Sequence, residues 1–222
     1  MFLMDRFGYA KTVDLSTYER NREAADSENK YVVSCMNTGK LCIFTNTGKM
    51  HQVKVLNLPF GKFRDKGLPI DNVSNYDSTQ EEIVYICDSE QMRFAKLIFA
   101  TKQGMVKKVE GTEFQVAKRT IAATKLQDGD EVVSVQVITD NQNVVLQTKE
   151  GFFLRFPAEE VSDKKKGAIG IRGIKLKKGD ELEKVYLFVE GTEAKAMYKE
   201  KEVTLNRLKM GKRDTQGVKN RG

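Results

Sequence analysis

Ile98-Phe-Ala-Thr-Lys-Gln-Gly104-Met-Val-Lys-Lys-Val109 and Val145-Leu-Gln-Thr-Lys-Glu-Gly151-Phe-Phe-Leu-Arg-Phe156 follow one plan. Each opens on a short apolar run, turns at a glycine among polar residues, and leaves through a second run rich in lysine or aromatics. The plan also occurs at Phe2-Leu-Met-Asp-Arg-Phe-Gly8-Tyr-Ala-Lys-Thr-Val-Asp-Leu15 and at Cys42-Ile-Phe-Thr-Asn-Thr-Gly48-Lys-Met-His-Gln-Val-Lys-Val55, with a weaker fifth copy from Leu187 to Leu205 around Gly191. A glycine where the backbone must turn left-handed, between two strand-like runs, predicts a β-hairpin. The glycines are spaced by 40, 56, 47 and 40 residues. That spacing is too long for a hairpin alone and suits a four-stranded unit.

The intervals hold the missing strands. Glu131-Val-Val-Ser-Val-Gln-Val-Ile138 alternates apolar and polar residues, and Glu82-Ile-Val-Tyr-Ile86 and Lys30-Tyr-Val-Val-Ser34 are strand-like. The expected fold is therefore all-β: a propeller-like arrangement of five or six four-stranded antiparallel blades, with few free sheet edges. Leu126-Gln-Asp-Gly-Asp-Glu131 and Leu176-Lys-Lys-Gly-Asp-Glu181 recur at equivalent points. Their carboxylates are better explained by glycine turns before a strand than by acid/base or metal chemistry. Pro59, Pro69 and Pro157 follow predicted strands and fit turns, and no Pro/Gly/Ser linker divides the chain. Residues 1–222 are expected to form a single domain.

Hydrophobic residues make up 40% of the 222 and charged residues 31%, a composition that folds. No apolar run approaches the roughly 20 residues of a membrane span, and the N-terminus lacks a signal-peptide core, so a cytoplasmic location is expected. Cys35, Cys42 and Cys87 are odd in number and lie among apolar residues, which predicts reduced, structural thiols. His51, the only histidine, lies in a predicted strand and leaves hydrolytic triads with at most one base. No P-loop, dinucleotide fingerprint or metal motif occurs, and Tyr9, Tyr18 and Tyr198 fit packing. No catalytic residue, metal or cofactor is expected in this stretch.

Charge is uneven. Residues 1–100 carry 13 basic and 13 acidic side chains, whereas residues 101–222 carry 25 and 18, which is the whole of the +7. Lys164–Lys178 holds seven cations and no acid, and Lys195–Arg221 holds nine cations and three acids. After the hairpins come loops that join cations to small residues: Gly61-Lys-Phe-Arg-Asp-Lys-Gly67, Ala117-Lys-Arg-Thr120, Lys164-Lys-Lys-Gly-Ala-Ile-Gly-Ile-Arg-Gly173 and Gly211-Lys-Arg-Asp-Thr-Gln-Gly-Val-Lys219. Small residues let a backbone approach a phosphate while the long cationic stems supply charge, with no need to read a base. Candidate DNA contacts are Lys62, Arg64, Lys66, Lys107, Lys108, Lys118, Arg119, Lys164, Lys165, Lys166, Arg172, Lys175, Lys212, Arg213 and Lys219. If the blades surround an axis, these loops share a basic rim on which duplex DNA would bend, with steep salt dependence and little sequence preference. The competing expectation is a propeller that holds a protein partner and carries incidental surface cations. RNA recognition is disfavoured, because the aromatics fall at strand positions without an exposed stacking pair.

The order of Asp5-Arg-Phe-Gly-Tyr-Ala-Lys-Thr-Val-Asp-Leu-Ser-Thr-Tyr18, Leu56-Asn-Leu-Pro59 followed by Lys66-Gly-Leu-Pro-Ile70, Thr101-Lys-Gln-Gly-Met-Val-Lys-Lys108 and Ile171-Arg-Gly-Ile-Lys-Leu176 resembles the C-terminal domain of bacterial type IIA topoisomerase A subunits, those of topoisomerase IV and gyrase. The resemblance spans essentially the whole chain. It implies a β-pinwheel, a propeller-like disc whose blades exchange strands and whose rim binds and bends DNA beside a breakage core. The nucleophilic tyrosine, the magnesium site and the ATPase would lie elsewhere in the enzyme. The chain would then be a C-terminal fragment of a larger A subunit, monomeric by itself and working with the rest of that polypeptide and, through it, the ATPase B subunit. One departure concerns the box Gln-Arg-Arg-Gly-Gly-Lys-Gly that gyrase A subunits carry after the first hairpin. Here that stretch is Glu19-Arg-Asn-Arg-Glu-Ala-Ala-Asp-Ser-Glu-Asn-Lys30, without glycine, which places the chain nearer the topoisomerase IV type.

Overall fold

The computed structural model describes residues 1–220; Arg221, which ends the second basic stretch, lies outside them. The chain divides into two compact units. Unit 1 comprises Met1–Phe94 with Phe114–Ala123, and unit 2 comprises Ala95–Glu113 with the chain from Thr124 onward.

In chain order, the strands that build or lead into unit 1 are β1 (Phe2–Asp5), β2 (Tyr9–Thr12), β3 (Asn29–Val33), β4 (Lys40–Thr45), β5 (Lys49–Lys54), β6 (Leu68–Pro69) and β7 (Ile83–Asp88). There follow β8 (Lys96–Thr101), β9 (Met105–Glu110), β10 (Thr120–Ala122), β11 (Val132–Ile138), β12 (Gln142–Thr148), β13 (Phe152–Pro157), β14 (Ile171–Arg172), β15 (Leu182–Val189), β16 (Lys195–Tyr198), β17 (Lys201–Thr204) and β18 (Val218–Lys219). Unit 1 holds the sheets β3-β1-β2-β6 and β7-β4-β5-β10. Unit 2 holds β11-β8-β9-β14, β15-β12-β13-β18 and the hairpin β16-β17.

One rule generates every four-stranded sheet. A hairpin forms its centre, the last strand before the next hairpin pairs with the first arm, and the second arm is covered by a short strand that follows the next hairpin. β6, β10, β14 and β18 are these returned strands, each two or three residues long. All pairings between strands in the sheets are antiparallel.

The central arms are buried on both faces, which explains why they are continuous apolar runs instead of alternating ones. In β12, Val144 and Leu146 join the core of Ile98, Val106, Leu154 and Phe156, while the intervening Val145 joins Phe153, Phe188, Tyr198 and Val203. Unit 1 has its own core around Phe2, Leu41, Ile43, Val53 and Ile70. The turn glycines adopt the left-handed backbone expected of them, and Gly151 shows why no side chain fits (φ 86°): an added Cβ would lie 2.5 Å from the Tyr198 hydroxyl.

Three sequence expectations change. The fifth hairpin turns at Lys199 and Glu200, both with positive φ, while Gly191 serves the connection from β15 to β16. Among the described residues this fifth sheet has two strands, because a hairpin is completed by strands that follow it and β18 already completes the sheet before. The stretch after the first hairpin is helical: α1 (Leu15–Arg20), capped by Asp14 through Thr17 N, and α2 (Arg22–Glu28). Free of glycine and containing Ala24-Ala25, it has the local propensity for helix. The three cysteines are free, and burial pushes the Cys42 thiol up to about 12.

Candidate nucleic-acid interface

The basic loops occupy the same point of the repeat, between a hairpin's second arm and the returned strand. Three of them are superposable by their hydrogen bonds. Gly61 N donates to Thr12 O, Lys164 N to Lys108 O, and Gly211 N to Arg155 O, each onto the second arm of the preceding sheet. Six residues later come Gly67, Gly170 and Gly217, where an added Cβ would lie 2.2–2.5 Å from the carbonyl oxygens of Ala10, Val106 and Phe153. Lys62, Lys165 and Lys212 therefore hold one equivalent position, and Lys166 and Arg213 the next.

Each loop is pinned from beneath by a long polar side chain of the arm it crosses. Lys11 donates its ammonium to Phe63 O and to Asp65 O (2.7 Å to the latter). Lys107 donates to the carbonyls of Lys165, Lys166 and Ala168 at 3.1, 3.0 and 2.7 Å. Gln52 donates to Val116 O and Lys118 O at 2.9 and 2.6 Å, and Arg155 to Asn206 O and Leu208 O at 2.7 and 3.1 Å. These donors satisfy carbonyls that the loop turns inward, and so leave its cationic side chains directed outward. Carboxylates fix the loop backbone as well: Glu113 accepts from Lys166 N at 3.0 Å and Glu160 from Arg213 N at 2.7 Å, while Asp65 accepts from Lys62 N at 2.8 Å.

Among the candidate contacts, Lys107 and Lys108 are corrected to a different role. Lys107 is 1% exposed and Lys108 4%, with the Lys108 ammonium 3.4 Å from Asp140. The Lys107 ammonium holds the loop, and that of Lys108 pairs with Asp140 in the turn between β11 and β12. Burial pulls the Lys107 ammonium down to about 8. The side chains of Lys62, Arg64, Lys66, Lys118, Arg119, Lys164, Lys165, Arg172, Lys175, Lys212 and Lys219 are exposed, and Lys166 and Arg213 half-buried. Arg172 pairs with Asp214, which raises the guanidinium and lowers the carboxyl from their ordinary values. Arg213 donates to Arg172 O at 2.6 Å, and Lys66 lies over the Tyr9 ring.

The clamps Lys11, Gln52 and Arg155 were not among the sequence candidates. Their signal is positional: Lys11 and Lys107 stand three residues after a turn glycine, and Gln52 and Arg155 four. Asp130 and Asp180 behave as turn residues. Each accepts from the following backbone N–H and from the neighbouring hairpin turn, Gln103 N for Asp130 and Glu150 N for Asp180. Among the described residues no group of His, Cys, Asp or Glu could hold a metal ion, and no helix is long and apolar enough to cross a membrane. His51 is buried between Glu81 and Thr120.

Repeated four-stranded antiparallel sheets, completed by strands returned from the following repeat and carrying basic loops at one equivalent point, define a strand-exchanged propeller-type module. A family model described as the DNA gyrase C-terminal domain, beta-propeller, matches residues 95–139 and 142–188, which are two successive repeats. The A subunit of DNA gyrase from Lawsonia intracellularis is 31% identical over 99% of this chain and 28% of its own length. That of Chlamydia pneumoniae is 37% identical over 67% of this chain and 18% of its own. The chain thus spans less than a third of the length of these curated relatives. Among solved structures, the C-terminal domain of DNA topoisomerase IV aligns with a TM-score of 0.84 at 25% identity, covering 98% of this chain and 71% of that one. The Escherichia coli ParC C-terminal domain aligns at 0.77 with 17% identity, covering 100% and 93%. The chain belongs to the family of β-pinwheel C-terminal domains of bacterial type IIA topoisomerase A subunits, gyrase and topoisomerase IV together.

Proposed function

We propose that this chain grips duplex DNA by its phosphates through the equivalent basic loops, bends it, and so positions segments for strand passage by a type IIA topoisomerase. The observation that carries this reading is the repetition itself. Loops of equal length, pinned by donors in the arm beneath, present cations at the same position in three of the four repeats. Contacts of this kind address phosphate oxygens and carry no base information. The ATPase B subunit, together with the rest of the A polypeptide, would be the protein partner, in the cytoplasm, and the chemistry of strand breakage would belong to them. The glycine-free helical stretch at 15–28 favours a parent of the topoisomerase IV type, with weak chiral wrapping.

A salt titration on relaxed plasmid, with topoisomerase I present, tests the reading. Affinity should fall linearly on a log–log plot with a slope of about −0.9 per phosphate contacted, alike on unrelated sequences, and with little change in linking number. Strong chiral supercoiling would restore a gyrase parent. No binding at low salt would overturn DNA binding and favour a protein-interaction module. That second reading has one observation in its favour, a groove in unit 1 around the exposed Leu15, Met36, Leu56 and Phe60.

A further inference from the structure

Hairpins β4–β5 and β8–β9 end in opposite ways. At the open end of β8–β9, the cross-strand pair is Lys96 and Glu110, whose charged groups lie 3.5 Å apart, and Asp163 approaches the same ammonium at 3.1 Å. At the open end of β4–β5, the residues in the same register are Lys40 and Lys54. Two like charges directly opposite each other in an antiparallel pair are destabilising unless something neutralises them. Among the described residues no carboxylate forms an ion pair with either. Lys40 and Lys54 line a cleft of about 470 Å³ with Gln52, Asn57, Ala117 and Arg119, which brings a third cation and no acid. Gln52 is itself buried, held by Val116 O and Lys118 O, so the cleft's wall is fixed by the same clamp that shapes the loop.

From this juxtaposition we infer that the Lys40–Lys54–Arg119 cleft of unit 1 is a phosphodiester-binding site, which deepens the DNA-binding reading above and rests on it. Three cations without a counter-ion, beside the amide of Asn57 as a neutral donor, match the charge and hydrogen-bonding demand of a backbone phosphate. The neutral net charge of residues 1–100 conceals this site, because the balancing acids lie elsewhere in the unit. The like-charge pair is retained at a cost to the sheet, as expected of a site that serves binding.

The test is the salt dependence of duplex binding by the whole chain. In Lys40→Gln/Lys54→Gln the log–log slope should become shallower by about 1, the loss of one phosphate contact, equally on two unrelated sequences. Arg119→Gln should make it shallower by no more than about 1, while Lys96→Gln leaves it unchanged. Lys54→Glu converts this end into the Lys96–Glu110 arrangement, and should raise the thermal midpoint while weakening binding. If the wild-type chain binds DNA steeply and the double variant keeps its slope, the inference fails and the broader reading stands. If the wild-type chain does not bind DNA, both fail. Pyrophosphate is the third arm. Shifts of the Lys54 and Arg119 resonances at low millimolar pyrophosphate, with an unchanged DNA slope in the double variant, would reassign the cleft to a free phosphate and overturn the DNA assignment.

Discussion

Unit 1 and unit 2 build the same repeat with different placement of charge. Unit 2 contains most of the excess cations, yet many of its basic side chains are already paired: Lys96 with Asp163, Lys108 with Asp140, Lys149 with Glu181, Arg155 with Glu190 and Arg172 with Asp214. Unit 1 has fewer cations but leaves a compact group of them uncompensated around Lys40, Lys54 and Arg119. Net charge by region is therefore a poor guide to where a phosphate would sit. What matters is which cations have no carboxylate within a few ångströms, since such pairing decides the local field.

The largest effect expected from this comparison is on affinity. Reversing Lys164, Lys165 and Lys166 to Glu should make the salt slope shallower by about 3 and weaken binding uniformly across sequences, as read by fluorescence anisotropy. Reversal of Lys62, Arg64 and Lys66 in unit 1 should do nearly as much; no loss there would remove that loop from the contacts and break the parallel.

Next come the loop clamps. Lys107→Met leaves the carbonyls of Lys165, Lys166 and Ala168 without their donor and should cost roughly 1–3 kcal/mol in urea unfolding. Lys11→Met should cost less, because Lys11 is only half-buried and two carbonyls are affected. Equal losses would show that burial of the clamp is immaterial.

The turns of unit 2 give a smaller contrast. Gly151→Ala meets both a positive φ and the Tyr198 hydroxyl, whereas Gly129→Ala has a positive φ and open space around it. The first should destabilise by at least about 1 kcal/mol and by clearly more than the second. Similar values in thermal unfolding would remove Tyr198 from the explanation.

The last contrast is the pH dependence of the Lys107 clamp. Its folded pKa is lowered to about 8 from an ordinary 10.5, so below pH 8 both folded and unfolded chains hold the proton and this group adds no pH dependence. Between those values the unfolded chain binds more protons, so stability from this group rises with pH and levels off above. The difference in unfolding free energy between the native chain and Lys107→Met should grow over that window; a flat difference would mean that the three carbonyls keep the ammonium charged.

Much of the fold is legible before any coordinates. The hairpins announce themselves because a turn glycine and two flanking apolar runs are local features, and their repetition reveals the unit. Gly191 misled for the same local reason: it is a turn glycine, but the fifth hairpin reverses at Lys199–Glu200. Of the returned strands, β14 and β18 fall inside stretches that read as basic loops, β10 starts at the end of one and β6 lies just past another, since two or three residues carry no periodicity and become strands only by pairing with an arm dozens of residues away. Lys107 and Lys108 read as surface cations because a lysine's chemistry is the same in either setting.

The sequence by itself determined the long hairpin strands, where the first four hairpins turn and which loops are rich in cations, all of which follow from backbone sterics and side-chain type within a dozen residues. Tertiary structure alone decided which arm each short strand completes, which lysines direct their ammonium to inward carbonyls and which meet no carboxylate at all. Those outcomes depend on through-space distances of a few ångströms between residues far apart in the chain, and both hydrogen bonds and ion pairs lose their strength beyond such distances.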